Sequence, residues 1–162
     1  GSKGESTMKV LMTKNKQYVK IDAHDTWSMD CTLAHIIVPM LKQLKATTHG
    51  GPFVNMGERP EHLIGTLPNK DSGDVDEFHF QAWDWVLDEM VFAFESKNED
   101  WDDQFCSGRH DMQLKELPCG NYEMVRGPHH TFKIDTEGRQ KYQDRITNGF
   151  RLFGKYYENL WD

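Results

Sequence analysis

The chain has 162 residues, of which 37% are hydrophobic, and carries five Trp, nine Phe and five Tyr with a formal net charge of −7. That is enough for one domain with an aromatic-rich core, and the negative balance argues against nucleic-acid binding through a general basic surface. No apolar run is long enough to cross a membrane, and the odd, widely spaced Cys31, Cys106 and Cys119 fit neither a disulfide framework nor a zinc ribbon.

Residues 1–7 (GSKGEST) read as an expression-tag remnant ahead of a natural start at Met8. No signal-like apolar segment comes after them, so a soluble intracellular protein is expected. Lys9–Met12 and Tyr18–Ile21 are short β-prone runs around a polar turn, a hairpin pattern. Asp22-Ala-His24-Asp25 then supplies a polar turn able to cap the next helix.

Thr26–Lys45 has helical periodicity, with Trp27, Cys31, Ala34, Val38 and Leu41 on one side. Leu33, Ile37, Met40 and Leu44 widen that face, while His35 falls on the polar side. Pro39 removes a backbone donor, and a kink or division near Ile36 is expected. Cys31 reads as a small core residue. Residues 46–75 form a long irregular stretch punctuated by Gly and Pro, with Phe53, Val54, Leu63 and Ile64 as candidate anchors. A loop of that length is commonly functional or mobile, and mobility is the expectation here.

Asp76–Lys97 is predicted as the central helix. Glu77, Gln81, Asp84, Asp88 and Glu95 make a polar stripe, and Phe78, Ala82, Trp85, Glu89 and Phe92 an almost wholly apolar one. Glu89 is thus a carboxylate on a hydrophobic face, which requires a partner or a raised pKa. It suits acid–base work or ligand recognition. An ion pair with Arg145 or Arg151 is the blander explanation. Around this helix, residues 71–103 hold twelve acids against Lys97 alone, a local −11 that leaves +4 for the remainder. A solvated acidic face explains this most simply, and a decoy for a basic partner is the functional alternative.

Asn98–Arg109 is an acidic connector anchored by Trp101 and Phe105. Asp111–Leu117 and Tyr122–Arg126 flank the turn sequence Pro118-Cys119-Gly120-Asn121, and Thr131–Ile134 is a further short strand. Asp135 or Thr136 can cap a last helix running to about Leu160, with Tyr142, Ile146, Phe150, Phe153, Tyr157 and Leu160 on its apolar stripe. Gly149 and Gly154 within it suggest close packing on another backbone. The expected class is α+β: three long helices packed with small antiparallel hairpins in a single domain.

Trp85, Glu89, Tyr142, Arg145, Arg151 and Lys155 form the composite that best suits a ligand. Aromatic faces stack a planar ring, and the cations neutralise phosphate. These cations equally suit pairing with the acidic central helix, within one chain or across a dimer. No cofactor motif is present. HExxH, CxxC and GxSxG are all absent, and neither Asp22, His24 and Asp25, nor Glu58, Glu61 and His62, nor His129 with His130 has a recognised ligand spacing. No metal site is therefore assigned.

The stretches DTWSMDCTLAHIIVPMLKQLK (Asp25–Lys45), HGGPFV (His49–Val54), WDWVLDEMVFAFE (Trp83–Glu95) and RITNGFRLFGKYYENLWD (Arg145–Asp162) resemble a family of small tailed-bacteriophage proteins that carry no assigned activity. The resemblance implies a phage protein working in the host cytoplasm. It favours binding and sequestration, as in host takeover or counter-defence, over metabolism. The function expected is a non-enzymatic, oligomeric accessory protein that binds a host-derived small ligand or protein, with a nucleotide-type immune signal as the most specific version. The alternative is a metal-dependent hydrolase or transferase using Asp84, Asp88 or Glu89 with loop histidines.

Overall fold

The computed structural model describes residues 8–67 and 73–162. Part of the expected 46–75 loop, residues 68–72, lies outside them. The architecture is α+β, and the described residues form three α-helices and three separate two-stranded antiparallel sheets. By internal packing the chain forms two compact units, Gly1–Asn98 with Ile146–Asp162, and Glu99–Arg145.

The first unit begins with strands β1 (Lys9–Met12) and β2 (Gln17–Lys20), paired so that Val10 faces Val19 and Leu11 faces Tyr18. Asp22 then accepts the His24 N–H and caps a 3-10 turn over Ala23–Thr26. Helix α1 spans Met29–Thr47, with Ala34 and Leu41 buried. It runs unbroken through Pro39 instead of dividing near Ile36. Both Pro39 and His35, whose carbonyl loses the proline donor, lie on the exposed face, where water can satisfy that carbonyl. The expected apolar face is only partly used. Trp27 is 80% exposed and Met40 66% exposed.

Helix α2 (His79–Glu95) is the centre of this unit. Ala82, Trp83, Val86, Leu87, Met90, Val91 and Ala93 are all buried, so the helix is covered on most sides. Its polar stripe behaves as its spacing predicts, with Glu77, Gln81, Asp84 and Asp88 exposed. Leu152 and Tyr156 from the end of the chain and Val54 from the loop complete the core.

The loop between α1 and α2 contains 3-10 turns at Met56–Glu58 and Glu61–Leu63. Val54 and Leu63 are buried, as expected of anchors, whereas Phe53 and Ile64 are exposed. Its described part is held by Arg59. That guanidinium donates to both carboxylate oxygens of Asp76 (2.6 and 2.9 Å) and to the carbonyls of Val54 and Leu63. Both side chains of the pair are 0% exposed.

The second unit contains β3 (Cys106–Ser107) paired with β6 (Lys133–Ile134), and the hairpin of β4 (Met112–Glu116) with β5 (Tyr122–Arg126). Gly120 in the connecting turn has φ +87°, which a side chain would strain. Asp135 accepts the Gly138 N–H and caps helix α3 (Thr136–Lys155), the start expected from sequence. The helices were also expected to bury faces on a small sheet. The residues of β1–β2, and all of β4–β5 except Val125, are exposed, so these hairpins contribute little to a core.

Gly149 on α3 is buried, and a Cβ there would overlap the Glu89 carbonyl oxygen and the Ala93 methyl, as close packing requires. Gly154 meets nothing, so its expected packing role is not found. Gly149→Ala is therefore expected to destabilise by about 1–3 kcal/mol, while Gly154→Ala is neutral or stabilises by up to about 1 kcal/mol, both read as shifts in thermal midpoint. Arg59→Met strands the Asp76 carboxylate in the interior and is expected to cost about 3–5 kcal/mol in chemical denaturation.

Candidate functional site

A groove of about 940 Å³ lies in the first unit between α1 and the end of the chain. Ile37, Met40, Leu41 and Leu44 line it from α1, and Phe153, Tyr157 and Leu160 from the other side. The widened apolar face of α1, legible in the sequence, thus lines an open cleft instead of packing shut. Tyr157 is 62% exposed, so aromatic surface stands in water at the rim.

Of the six residues expected to form a composite site, four belong to this unit. Glu89 is buried on α2, as its stripe predicts, and Trp85 is half-buried against the core. Arg151 and Lys155 are brought together, on a carboxylate that the sequence did not single out for them. Glu58 accepts from Arg151 Nη1 (2.8 Å), Lys155 Nζ (2.8 Å) and the Tyr156 hydroxyl (3.1 Å). Burial pushes the Glu58 carboxyl up, but the hydrogen bonds from Lys155 and Arg151 outweigh it and hold the group below the ordinary carboxylate range. Burial, with Glu58 as a second cause, pushes the Tyr156 hydroxyl up to about 12.

Tyr142 and Arg145 belong to the second unit. Tyr142 stacks on Trp101 with ring centroids 4.7 Å apart, and Phe105 meets it edge-on. A smaller cleft of about 400 Å³ lies beside Trp101, lined by Thr136, Arg139, Gln140 and Gln143. Arg139 there answers Asp102 at 3.1 Å.

The acidic face of α2 is partly neutralised within its own unit. Lys45 holds Asp88 at 2.9 Å and Lys42 holds Glu95 at 2.6 Å. Among the described residues no three His, Cys, Asp or Glu side chains converge as a metal ligand set would. Nor is any helix among them long and apolar enough to cross a membrane. Cys31, expected as a small core residue, is only half-buried and donates its thiol to the Lys97 carbonyl.

Sequence reasoning missed Glu58 as a partner for the C-terminal cations, and Arg59 and Asp76 as a pair. The signal for the latter was faint: an arginine inside a Gly- and Pro-punctuated loop, and an acid just ahead of the central helix. Comparison with protein-family models, with curated proteins and with solved structures finds no match to this chain.

The phenolate absorbance of the five tyrosines should rise in stages with pH, the last near 12. Glu58→Gln is expected to lower that last midpoint without returning it to the ordinary value, because burial, the larger cause, remains. A titration in which all tyrosines ionise together contradicts this placement of Tyr156.

Proposed function

We propose that the chain is a binding protein, an accessory factor of a tailed bacteriophage that captures a host-derived protein or ligand in the host cytoplasm. The groove between α1 and the end of the chain would receive the apolar part of its target. The observation that carries this reading is the chemistry of the lining. It is aliphatic and aromatic, with the amide of Gln43 and the hydroxyls of Thr47 and Tyr157, and without a carboxylate, imidazole, amine or thiol. Acid–base and nucleophilic catalysis need such groups; recognition of an apolar surface does not. Its volume falls within the range of ligand clefts, and an open channel beside a helix suits the apolar stripe of an amphipathic segment.

The version with a nucleotide-type signal has less geometric support. Arg151 and Lys155 are each two residues from Phe153, about 200° around α3. A ring seated in the groove would leave its phosphates on the wrong side of the helix for these cations, which already answer Glu58. Capture of an apolar host-protein segment is the favoured form, and counter-defence is one use of it. The metal-dependent alternative would rest on Asp84 and Asp88, both exposed, with Asp88 held by Lys45.

An environment-sensitive naphthalene sulfonate dye is expected to brighten on the folded protein. Met40→Glu should weaken its binding at least tenfold while the thermal midpoint stays unchanged, since Met40 is exposed. Calorimetric titration with cyclic nucleotides and cyclic ADP-ribose isomers is expected to show no heat. Dye binding that ignores the substitution sinks the groove, and strong heat with one of those nucleotides restores the signal-capture version.

A further inference from the structure

The β1–β2 hairpin is the least explained element of the first unit. Residues 8–21 contain Lys9, Lys14, Lys16 and Lys20 and no acid, in a chain whose net charge is −7. None of these four ammonium groups has an acidic partner among the described residues. Lys9 stands directly opposite Lys20 in the register, a like-charge pair that destabilises a ladder. Every residue of both strands is exposed. A two-stranded hairpin with both faces in water is marginal by itself. The arrangement asks for an anionic, partly apolar surface.

The same unit carries such a surface on α2. Phe80 is 56% exposed, with the exposed Asp84 one turn after it on α2 and the exposed Glu77 in the turn that leads into the helix. Asp84 makes no direct ion pair among the described residues, though the Lys45 ammonium that holds Asp88 also attracts it, and Glu77 accepts from the Thr66 N–H and hydroxyl beside the Asp76 carboxylate. The two patterns are complementary. One face of the hairpin presents Leu11 and Tyr18 between Lys9 and Lys20 at one end and the turn lysines at the other. The start of α2 and the turn before it present Phe80 between two carboxylates. Spacings agree as well: Lys9 to Leu11 is about 6.8 Å along a strand, and Phe80 to Asp84 about 6 Å along a helix.

We propose that a second copy of this chain covers the hairpin. The β1–β2 face of each protomer docks on the Glu77–Phe80–Asp84 stripe of its partner, giving an isologous two-fold dimer with two equivalent contacts. Tyr18 and Leu11 meet Phe80, and the lysines meet Glu77 and Asp84. None of these residues lines the apolar groove, so failure of the groove reading leaves the dimer untouched, and the reverse.

Sedimentation of the full chain decides it. At about 50 mM salt the mass should be twice 18.9 kDa, falling toward that of one chain near 1 M, where screening shortens to about 3 Å. Lys9→Glu with Lys20→Glu, and separately Glu77→Lys with Asp84→Lys, should each give a folded monomer with at least a tenfold weaker association. Mixed together, the two variants should dimerise again, because the hairpin of one and the helix stripe of the other exchange signs and one contact of the mixed pair is again attractive with the acid and base reversed. A wild type that stays monomeric, a dimer indifferent to either charge reversal, or a mixture that does not reassociate overturns the proposal. So does a monomer whose hairpin lysines instead retard a DNA duplex.

Discussion

The first unit depends on one buried ion pair. The side chains of Arg59 and Asp76 lose all contact with water, and such a pair offsets its desolvation only when geometry is near ideal and the remaining donors are satisfied. Four of the five guanidinium N–H groups meet these conditions: two reach the carboxylate oxygens, and one each on Nε and Nη1 reaches the Val54 and Leu63 carbonyls. The carboxylate in turn accepts the Phe78 N–H at the entry to α2, where the positive end of the helix dipole favours it. Hydrogen bonding from Arg59 is the largest cause holding Asp76 below its usual range. The stabilisation it contributes is present above the ordinary carboxylate pKa and is lost as pH falls through the lowered one.

Neighbouring residues are fitted to that pair. Gly65 leaves room for it, since a Cβ there would overlap the Asp76 carboxylate. Val54, whose carbonyl is one of the anchors, is fully buried in the core. Glu58 precedes Arg59 directly, so the latch also positions the carboxylate that gathers Arg151, Lys155 and Tyr156. A loop with two short 3-10 turns thereby links the beginning of α2 to the end of α3. Upstream, the His79 ring bonds the Gly51 carbonyl through Nε2, and Gly51 must lack a side chain because Trp83 lies against it. Nε2 is then the donor, which leaves Nδ1 as a buried acceptor with no donor facing it among the described residues, a local cost of about 1–3 kcal/mol.

Periodic features were the legible ones. The polar stripe of α2, the burial of Glu89, the cap at Asp135 and the turn around Gly120 result from spacing and local chemistry, which short-range sequence carries. The Arg59–Asp76 pair joins positions seventeen residues apart, and Glu58 reaches Lys155 across ninety-seven; no local pattern encodes such distances. Pro39 misled for a related reason. Its penalty depends on whether the orphaned carbonyl is wet, which is a property of the tertiary structure. Trp27 misled through its size: it continues the apolar stripe of α1, yet it lies ahead of the helix proper, where its ring meets the edge of His24 and stays largely in water.

The end of α3 keeps its cations and its apolar side apart. One side of the helix presents cations already matched to Glu58, which is only 14% exposed, so an incoming phosphate must displace a well-placed carboxylate. Another side presents Phe153 to an open apolar cleft with no competing occupant among the described residues. Displacing a three-donor carboxylate costs its hydrogen bonds at once, whereas covering exposed Met40 and Tyr157 gains roughly 25 cal/mol for each Å² removed from water. The balance favours an apolar occupant in the cleft over an anion on the cations. The cations and aromatic residues grouped as one composite in the sequence thus face different neighbours, Arg151 and Lys155 meeting Glu58 while Phe153 lines the cleft.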